Sequence, residues 1–282
     1  MTEESVGRNR LRRLPPIRRA RLWRLYAEDG RRFLDFWMDG GRSLLGAKGR
    51  GIGTIAKAAV DMGLTRPFPS IREARLEKEV LRRYPGYAAA RFYRDEDRAV
   101  AAAEVFLGPG EELRVLEPFA DFLGAREPLG LGSAIAGGTA LPRVAMPRLP
   151  CPAALAPAVL LFGEAETARE AESYIVPPLV LACAHRALSE FDRFAADYTE
   201  ELWKRTDRRL GPFFERRGPC LYPRLAATSP AGMPPDYDKL FDAALGAGVL
   251  LSPAPELPSL IPGDFDDGEL ARLANALEAL TR

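Results

Sequence analysis

The sequence predicts an α/β fold, in which short strands alternate with helices around a buried core. Three observations carry this expectation: a hairpin signal near the start of the chain, alternating strand and helix patterns over residues 71–116, and a second alternation that ends in an amphipathic helix. With 282 residues and a hydrophobic content of 47%, the chain is long enough for one large or two modest domains.

The hairpin signal occupies residues 21–36, where two short apolar runs flank Glu28-Asp29-Gly30. An Asp-Gly pair accommodates the positive φ of a tight turn, so the pattern is typical of two antiparallel strands. Glycine-rich residues 46–53 then predict a turn. The elements expected next, in chain order, are helices at 55–62 and 71–84, a strand at 89–93, a helix at 95–106 and a strand at 113–116.

The second half of the chain begins with glycine-rich residues 130–146, which predict irregular structure. Apolar residues at helical spacing then predict a long helical region at 177–210. A terminal helix is expected at 268–281, because leucines recur on one of its faces. The other expected elements are strands at 159–162, 220–226 and 249–252 and a helix at 237–245.

The charges of the chain nearly cancel, with 40 Lys and Arg residues against 39 Asp and Glu residues and a formal net charge of +1. This balance does not indicate a nucleic acid or an acidic lipid as a partner. The N-terminal segment is the exception, because it carries Arg8, Arg10, Arg12, Arg13, Arg18, Arg19, Arg21 and Arg24. We expect this arm to pack on a partner subunit rather than to follow phosphates, so nucleic-acid binding is the less favoured use.

Cysteine usage and hydropathy bear on location. Cys151, Cys183 and Cys220 form no CxxC pair and cannot all be disulfide-bonded within one chain, which favours a reducing, cytoplasmic setting. The first 25 residues lack the apolar core of a signal peptide, and the longest apolar stretch, 151–162, is too short to cross a bilayer, so no membrane association is expected. The single histidine, His185, excludes most histidine-based catalytic schemes, and no metal site is expected.

Residues 91–103 and 131–145, together with four other segments in the same chain order, resemble motifs of the class III pyridoxal-phosphate (PLP)-dependent aminotransferases, most of all their glutamate-1-semialdehyde aminomutase branch. Residues 91–103 (RFYRDEDRAVAAA) resemble the family's RF-x-NSG-x-EA element, which supplies the phosphate cup of the cofactor. Residues 131–145 (LGSAIAGGTALPRVA) resemble its LGKAIGGGLPxGA element, whose lysine carries the cofactor. Residues 22–36, 72–85, 173–184 and 236–281 resemble its first hairpin, the helix before the first large-domain strand, its TFxGNPLAxAAA element and its small domain.

The resemblance implies a truncated PLP-dependent transferase type I fold, with a large-domain remnant on a mixed or parallel sheet and a small α/β domain. The boundaries it implies are 1–54 for the N-terminal arm and first part of the small domain, 55–205 for the large-domain remnant and 206–282 for the C-terminal small domain. Because family members are homodimers with sites at the interface, it also implies a homodimer, or a heterodimer with an active relative.

The departures from the family fall on its chemical residues. Ser133 stands where the resemblance places the Schiff-base lysine, and a hydroxyl does not condense to an imine. Asp95, Glu96 and Asp97 bring carboxylates to the phosphate cup, where they repel a phosphate dianion. Ser173 replaces the phosphate-binding threonine and keeps its hydroxyl.

A further departure is a missing stretch after residue 116, which in the family brings the aspartate that pairs with the pyridine nitrogen. Glu117 and Asp121 are weak candidates for that role. The acidic run 95–97 has a simpler interpretation as an N-cap and an acidic first turn of a helix. The glycine-rich turn at 46–53 lacks the Walker GK[ST] order, and Cys183 with His185 does not complete a zinc site.

We therefore expect an aminotransferase-like pseudoenzyme that has no catalytic residue, binds no cofactor and acts by associating with itself or with an active relative. The first alternative is an active PLP-dependent aminotransferase or aminomutase on an amino acid or semialdehyde, with PLP as its cofactor. The second alternative is a nucleic-acid-associated protein that uses the arginine-rich arm.

Overall fold

The computed structural model describes residues 9–47, 51–108, 110–123, 141–224 and 237–280. The chain divides into two compact units. The central unit runs from Gly49 to Phe194, and the chain-end unit joins the chain up to Lys48 with the chain from Ala195 onward. Both units combine strands with helices, so the predicted α/β class is confirmed.

The elements up to residue 123 are β1 (Ile17–Arg21), β2 (Arg24–Ala27), β3 (Arg32–Asp35), α1 (Ile52–Asp61), α2 (Ile71–Arg83), β4 (Ala89–Tyr93), α3 (Glu96–Glu104) and β5 (Arg114–Leu116). The elements from residue 141 onward are β6 (Val144–Pro147), β7 (Ala158–Phe162), α4 (Ala165–Glu170), α5 (Pro178–Asp197), α6 (Glu200–Trp203), α7 (Asp207–Leu210), β8 (Phe214–Arg217), β9 (Cys220–Pro223), α8 (Tyr237–Gly246), β10 (Val249–Leu250), β11 (Ser259–Leu260) and α9 (Asp267–Glu278).

The structure differs from the expected elements in three places. The end of the stretch expected to be irregular forms β6, a short strand that exists because it pairs with β5 on one side and β7 on the other. The helical region expected at 177–210 is interrupted, since α5 ends at Asp197 and only short helical turns follow. Strands β1 and β8 were not expected, because their arginine-rich sequences lack the apolar alternation on which strand prediction depends.

In the chain-end unit, the expected hairpin is formed by antiparallel β2 and β3. Gly30 lies in its turn with a φ of 86°, the left-handed conformation that the Asp-Gly signal predicts. Strand β1 extends this sheet beyond β2, and β10 joins the other side, parallel to β3. Strands β8, β9 and β11 form a separate three-stranded sheet. Of the four leucines predicted to form one buried face of the terminal helix, Leu270, Leu273 and Leu277 are buried, whereas Leu280 lies beyond the end of α9 and is 38% exposed.

Two arginines of the arginine-rich arm, Arg10 and Arg13, contact helix α8 of the same chain. Arg10 is only 6% exposed, its Nε donates to Asp238 Oδ1 at 3.1 Å, and its guanidinium lies over the Tyr237 ring. Arg13 donates to Asp242 Oδ1 at 2.8 Å. These two side chains therefore have partners within their own chain, and packing of the arm on a partner subunit stays a prediction.

The central unit is built on a four-stranded mixed sheet in the order β4-β7-β6-β5. Strand β7 is antiparallel to both of its neighbours, and β6 is parallel to β5, so β4, β6 and β5 all run in one direction. Helices α3 and α4 contribute buried alanines to a core that also contains Leu160 and Phe162 of β7. The carboxyl ends of three strands consequently meet at one edge of this sheet.

Side chains and backbone from the same unit bond the outer side of β4. The amide of Ala90 donates to Glu77 Oε1 at 3.3 Å, and the amide of Phe92 donates to Ser173 Oγ at 3.1 Å. The Phe92 carbonyl accepts from the amide of Tyr174 at 2.8 Å. These bonds satisfy groups that an edge strand otherwise offers to another chain.

Within the described ranges, no helix is both long enough and apolar enough to cross a membrane. Cys151, Cys183 and Cys220 are buried and carry thiols rather than disulfides. Burial raises the pKa of the Cys183 thiol above its ordinary value, which disfavours the reactive thiolate.

The carboxyl group of Asp35, at the end of β3, should make the stability of the folded protein depend on pH. Its Oδ1 accepts from the amides of Trp37 and Met38 at 2.9 and 2.8 Å. Burial nevertheless raises its pKa to about 6 from an ordinary value of 3.8. Because the folded state binds this proton more tightly than the unfolded state, the stability that Asp35 contributes is complete below about pH 4 and is lost as the pH rises through about 6.

We expect Asp35→Asn, which keeps an acceptor oxygen without the charge, to stabilise the protein relative to wild type by about 2 kcal/mol more at pH 7 than at about pH 4. Urea unfolding of both proteins at several pH values measures this difference. A difference that does not change with pH would mean that Asp35 titrates normally in the folded protein.

Candidate functional site

The candidate site lies at the edge of the central sheet where β4, β5 and β6 end. Ligands of open α/β sheets bind outside the carboxyl ends of their strands, so this edge is where a functional site is expected. The acidic run that resembles the phosphate cup follows β4 directly. Its geometry decides what this edge offers to a ligand.

Asp95 is the N-cap of α3, and its Oδ1 accepts from the amide of Arg98 at 3.0 Å. Glu96 and Asp97 occupy the first turn of the helix, where carboxylates are favoured by the positive end of the helix dipole. Asp97 is exposed and Glu96 is half-buried. The acidic run is therefore placed as a capping sequence, in agreement with the simpler interpretation.

Glu96 belongs to an ion cluster that also contains Arg148 and Glu117, which we call the strand-end cluster. Arg148 Nε and Nη2 donate to the two carboxylate oxygens of Glu96 at 3.0 and 2.9 Å. Arg148 Nη1 donates to Glu117 Oε1 at 2.6 Å. Each member follows a different strand: Glu96 follows β4, Glu117 follows β5 and Arg148 follows β6. One guanidinium thus joins the ends of all three parallel strands.

Backbone hydrogen bonding and favourable charge interactions both stabilise Arg148 in the strand-end cluster. The Arg148 amide also donates to the Leu116 carbonyl at 2.9 Å, which fixes the backbone beside β5. Burial lowers the pKa of Arg148, but the hydrogen bond to Glu96 and the charges of both glutamates raise it by more, so the pKa stays above its ordinary value. A bidentate arginine–carboxylate pair is among the stronger polar contacts in proteins.

The residues described at this edge do not fit the phosphate group of PLP. The helix terminus presents three carboxylates, and the Asp95 side chain already accepts from one of its amide groups. Of the two arginines that follow β6 and β4 at this edge, Arg148 binds two glutamates, whereas Arg94 is exposed and lies next to the cap residue Asp95. A phosphate dianion at this terminus would meet the carboxylates of Asp95 and Asp97, whose repulsion opposes the favourable helix-dipole contribution of up to about 2 kcal/mol.

The other positions carried over from the family are dispersed. Ser173 is half-buried, and its Oγ lies 3.1 Å from the Phe92 amide and 3.3 Å from Glu73 Oε1, so its hydroxyl is used at the edge of β4. Ser133 lies outside the described residues. Asp121 forms an ion pair with Arg83, and Glu117 belongs to the strand-end cluster.

His185 and the acidic residues give no metal site. Burial lowers the pKa of His185 in α5, so the imidazole is held in its neutral form. Among the residues described, no group of three or more His, Cys, Asp or Glu side chains is arranged to hold a metal ion.

Sequence reasoning missed Arg148. The sequence does offer a sign of its role, because Arg148 is the one charged residue in the otherwise apolar run 144–151 and lies between Pro147 and Pro150. An isolated charge in such a run indicates a specific partner, because burying it alone is costly. Its partners depend on the order of strands in the sheet, which brings the ends of β4 and β5 to the end of β6.

Comparison with solved structures identifies the fold. An omega-transaminase from Sphaerobacter thermophilus matches over 99% of this chain and 97% of its own, with a TM-score of 0.65 and 14% identity. The fold is that of the PLP-dependent aminotransferases. An N-acetylornithine aminotransferase from Stenotrophomonas maltophilia gives a TM-score of 0.61 over 95% of each chain at 16% identity. A beta-phenylalanine aminotransferase from Variovorax paradoxus gives 0.63 over 98% of this chain and 93% of its own at 13% identity. At these identities the aminotransferase likeness is one of fold alone.

Comparisons at the level of sequence add relatives without an assigned activity. An uncharacterized protein of Treponema pallidum is 28% identical over an aligned length of 301 residues, which covers 89% of this chain and 90% of that protein. An uncharacterized protein of Borreliella burgdorferi is 41% identical over 58 residues, which is 21% of this chain and 22% of that protein. No family model matches the sequence.

Removing the arginine of the strand-end cluster should destabilise the folded protein. Arg148→Met leaves Glu96 and Glu117 partly buried without their shared partner, and we expect the free energy of unfolding at pH 7 to fall by about 2–3 kcal/mol. Arg169→Met, at an exposed arginine of α4, is the matched control and should change it by less than about 0.5 kcal/mol.

The triple variant Glu96→Gln/Glu117→Gln/Arg148→Met should recover most of the loss, because it removes the unpaired charges as well. Urea unfolding of the four proteins measures these differences. Equal stability of the Arg148→Met and Arg169→Met variants would contradict a structural role for the cluster.

Proposed function

We propose that this protein is an aminotransferase-like pseudoenzyme, which uses the aminotransferase fold for association rather than for amino-group transfer. The observation that carries the proposal is the strand-end cluster at the edge of the sheet where ligands of such folds bind. There, Arg148 links Glu96 and Glu117 to each other, so its guanidinium is already engaged by two carboxylates of the same chain. Charged side chains arranged in this way hold the strand ends together and are not available to bind a cofactor.

The lysines of the chain support the same proposal. A Schiff-base lysine has to lie in a cofactor pocket, where burial and neighbouring charges lower its pKa. Ser133 occupies the position that the resemblance assigns to the Schiff-base lysine. The four lysines within the described ranges are all exposed: Lys57, Lys78, Lys204 and Lys239. None of these four is in surroundings that favour a stable imine.

The proposed association is with a second copy of this chain or with an active relative. Support comes from an apolar surface on the segment from α1 to α2, which we call the α1–α2 surface. It consists of the exposed side chains of Val60, Met62, Phe68 and Ile71, which are 54%, 57%, 38% and 70% exposed. These four side chains lie close together along the chain, and contiguous exposed apolar side chains are typical of protein–protein contacts.

The two alternatives have weaker support. The aminotransferase fold is compatible with an active PLP enzyme, but the acidic helix terminus and the exposed lysines disfavour one. A nucleic-acid role is disfavoured because three arginines of the N-terminal segment pair with acids of the same unit: Arg10 with Asp238, Arg13 with Asp242 and Arg24 with Glu269. The buried thiols are compatible with the proposed cytoplasmic location.

A cofactor-binding measurement tests the pseudoenzyme proposal. We expect purified protein mixed with an equimolar amount of PLP to give no stable aldimine absorption band. Any weak absorption should match that of PLP reacting nonspecifically with exposed lysines. After borohydride reduction, peptide mass spectrometry should find only trace labelling spread over several lysines. Stoichiometric labelling of a single lysine would instead favour the active alternative.

A sedimentation measurement tests the association. We expect wild-type protein to form a dimer at micromolar concentration, and we expect the double variant Phe68→Asp/Ile71→Asp to be monomeric, because two charges on the α1–α2 surface cannot be buried without partners. The control is Val105→Asp, at a side chain that is 77% exposed on a different element. A double variant that dimerises as strongly as wild type would mean that this surface is not the interface.

A further inference from the structure

A second feature of the central unit is a pocket of about 480 Å³ close to the end of β4. Its wall is apolar and comes from three regions: the turn before β7, the loop leading into α5, and Pro67. Its lining includes Pro67, Arg94, Ala154, Tyr174, Val176 and Pro177. We call this the Arg94 pocket. Its volume falls in the range of small-molecule sites, about 300–1,000 Å³.

The Arg94 pocket has a single charged lining residue. Arg94 follows β4 directly and is exposed. Among the described residues, the nearby arginines Arg91, Arg98 and Arg148 form ion pairs, and none of the ion pairs found there includes Arg94. Arg94 therefore retains its hydrogen-bond donors for a group from outside the chain.

The walls of the pocket are held in place by backbone hydrogen bonds. The amide of Tyr174 donates to the Phe92 carbonyl in β4 at 2.8 Å, which ties the loop that carries Tyr174, Val176 and Pro177 to the sheet. The amide of Leu179 at the start of α5 donates to the Leu64 carbonyl at 3.1 Å, which holds the segment leading to Pro67. A preformed wall loses little conformational entropy when a ligand binds.

From this arrangement we infer that the Arg94 pocket binds a small organic monocarboxylate with an apolar body, such as an arylalkanoate. The carboxylate pairs with the Arg94 guanidinium, and the apolar body lies against the alanine, valine, proline and tyrosine side chains. The absence of a carboxylate from the described lining selects against cationic ligands, and the scarcity of polar side chains selects against sugars and nucleotides. This inference goes beyond the association proposed above and does not require PLP.

Ligand-observed NMR with three matched probes tests the inference on the full chain. 3-Phenylpropionate is the anion, 3-phenylpropanamide is its neutral analogue and 3-phenylpropylamine is its cation. We expect the anion to bind with a Kd on the order of 1 mM, as is usual for a fragment of this size. The amide should bind about tenfold more weakly, and the amine should not bind measurably.

Two variants locate the binding site, and thermal unfolding checks that both remain folded. Arg94→Gln should weaken binding of 3-phenylpropionate about tenfold, whereas Arg169→Gln, at an exposed arginine outside the pocket, should leave it unchanged. Ala154→Trp places an indole at the exposed rim of the pocket and should abolish binding.

Three outcomes would overturn the inference: no binding of the anion, equal binding of the anion and the amide, or equal binding to wild type and Arg94→Gln. None of them bears on the PLP and sedimentation measurements, so failure here is distinguishable from failure of the proposed function.

Discussion

The salt bridges of Arg148 with Glu96 and Glu117 are the interaction on which the central unit depends. Partly buried charges are tolerated in a protein only when they are paired, and here each charge follows a different parallel strand. The ends of β4, β5 and β6 are therefore held together by one guanidinium. In an aminotransferase fold this is the edge at which a ligand is expected, and this chain places a structural cluster there.

Residues that resemble the family's phosphate-binding positions have structural roles nearby. Asp95 caps α3, Glu96 belongs to the strand-end cluster, and the Ser173 hydroxyl bonds to the edge of β4. Each of these three side chains is polar, and each pairs with a backbone group or a charged side chain that would otherwise lack a partner. Polarity alone therefore does not indicate that a family function has been retained, since the partners of the side chain decide its role.

The arrangement around β4 also connects the strand-end cluster with the Arg94 pocket. The loop that carries Ser173 and Tyr174 closes the outer side of β4 and supplies a wall of the pocket. The helix that follows Arg94 begins with Asp95 and Glu96, whose carboxylates are used in capping and in the cluster. These neighbouring acids have partners of their own, which leaves Arg94 with donors for a ligand.

The amino-acid sequence by itself determined the local elements. The Asp-Gly turn fixed the hairpin of β2 and β3, the bounds of β4 agree with the expected strand, and Asp95 caps α3 as its sequence indicates. These features depend on residues a few positions apart, so a local pattern is sufficient to predict them.

Only the tertiary structure decided the partner of Arg148, the existence of β6 and the use of Ser173. Glu96 lies 52 positions from Arg148 in the chain, and β6 is a strand because β5 and β7 lie on either side of it. Contacts between distant segments depend on the order and direction of strands in the sheet, which no local pattern of side chains specifies.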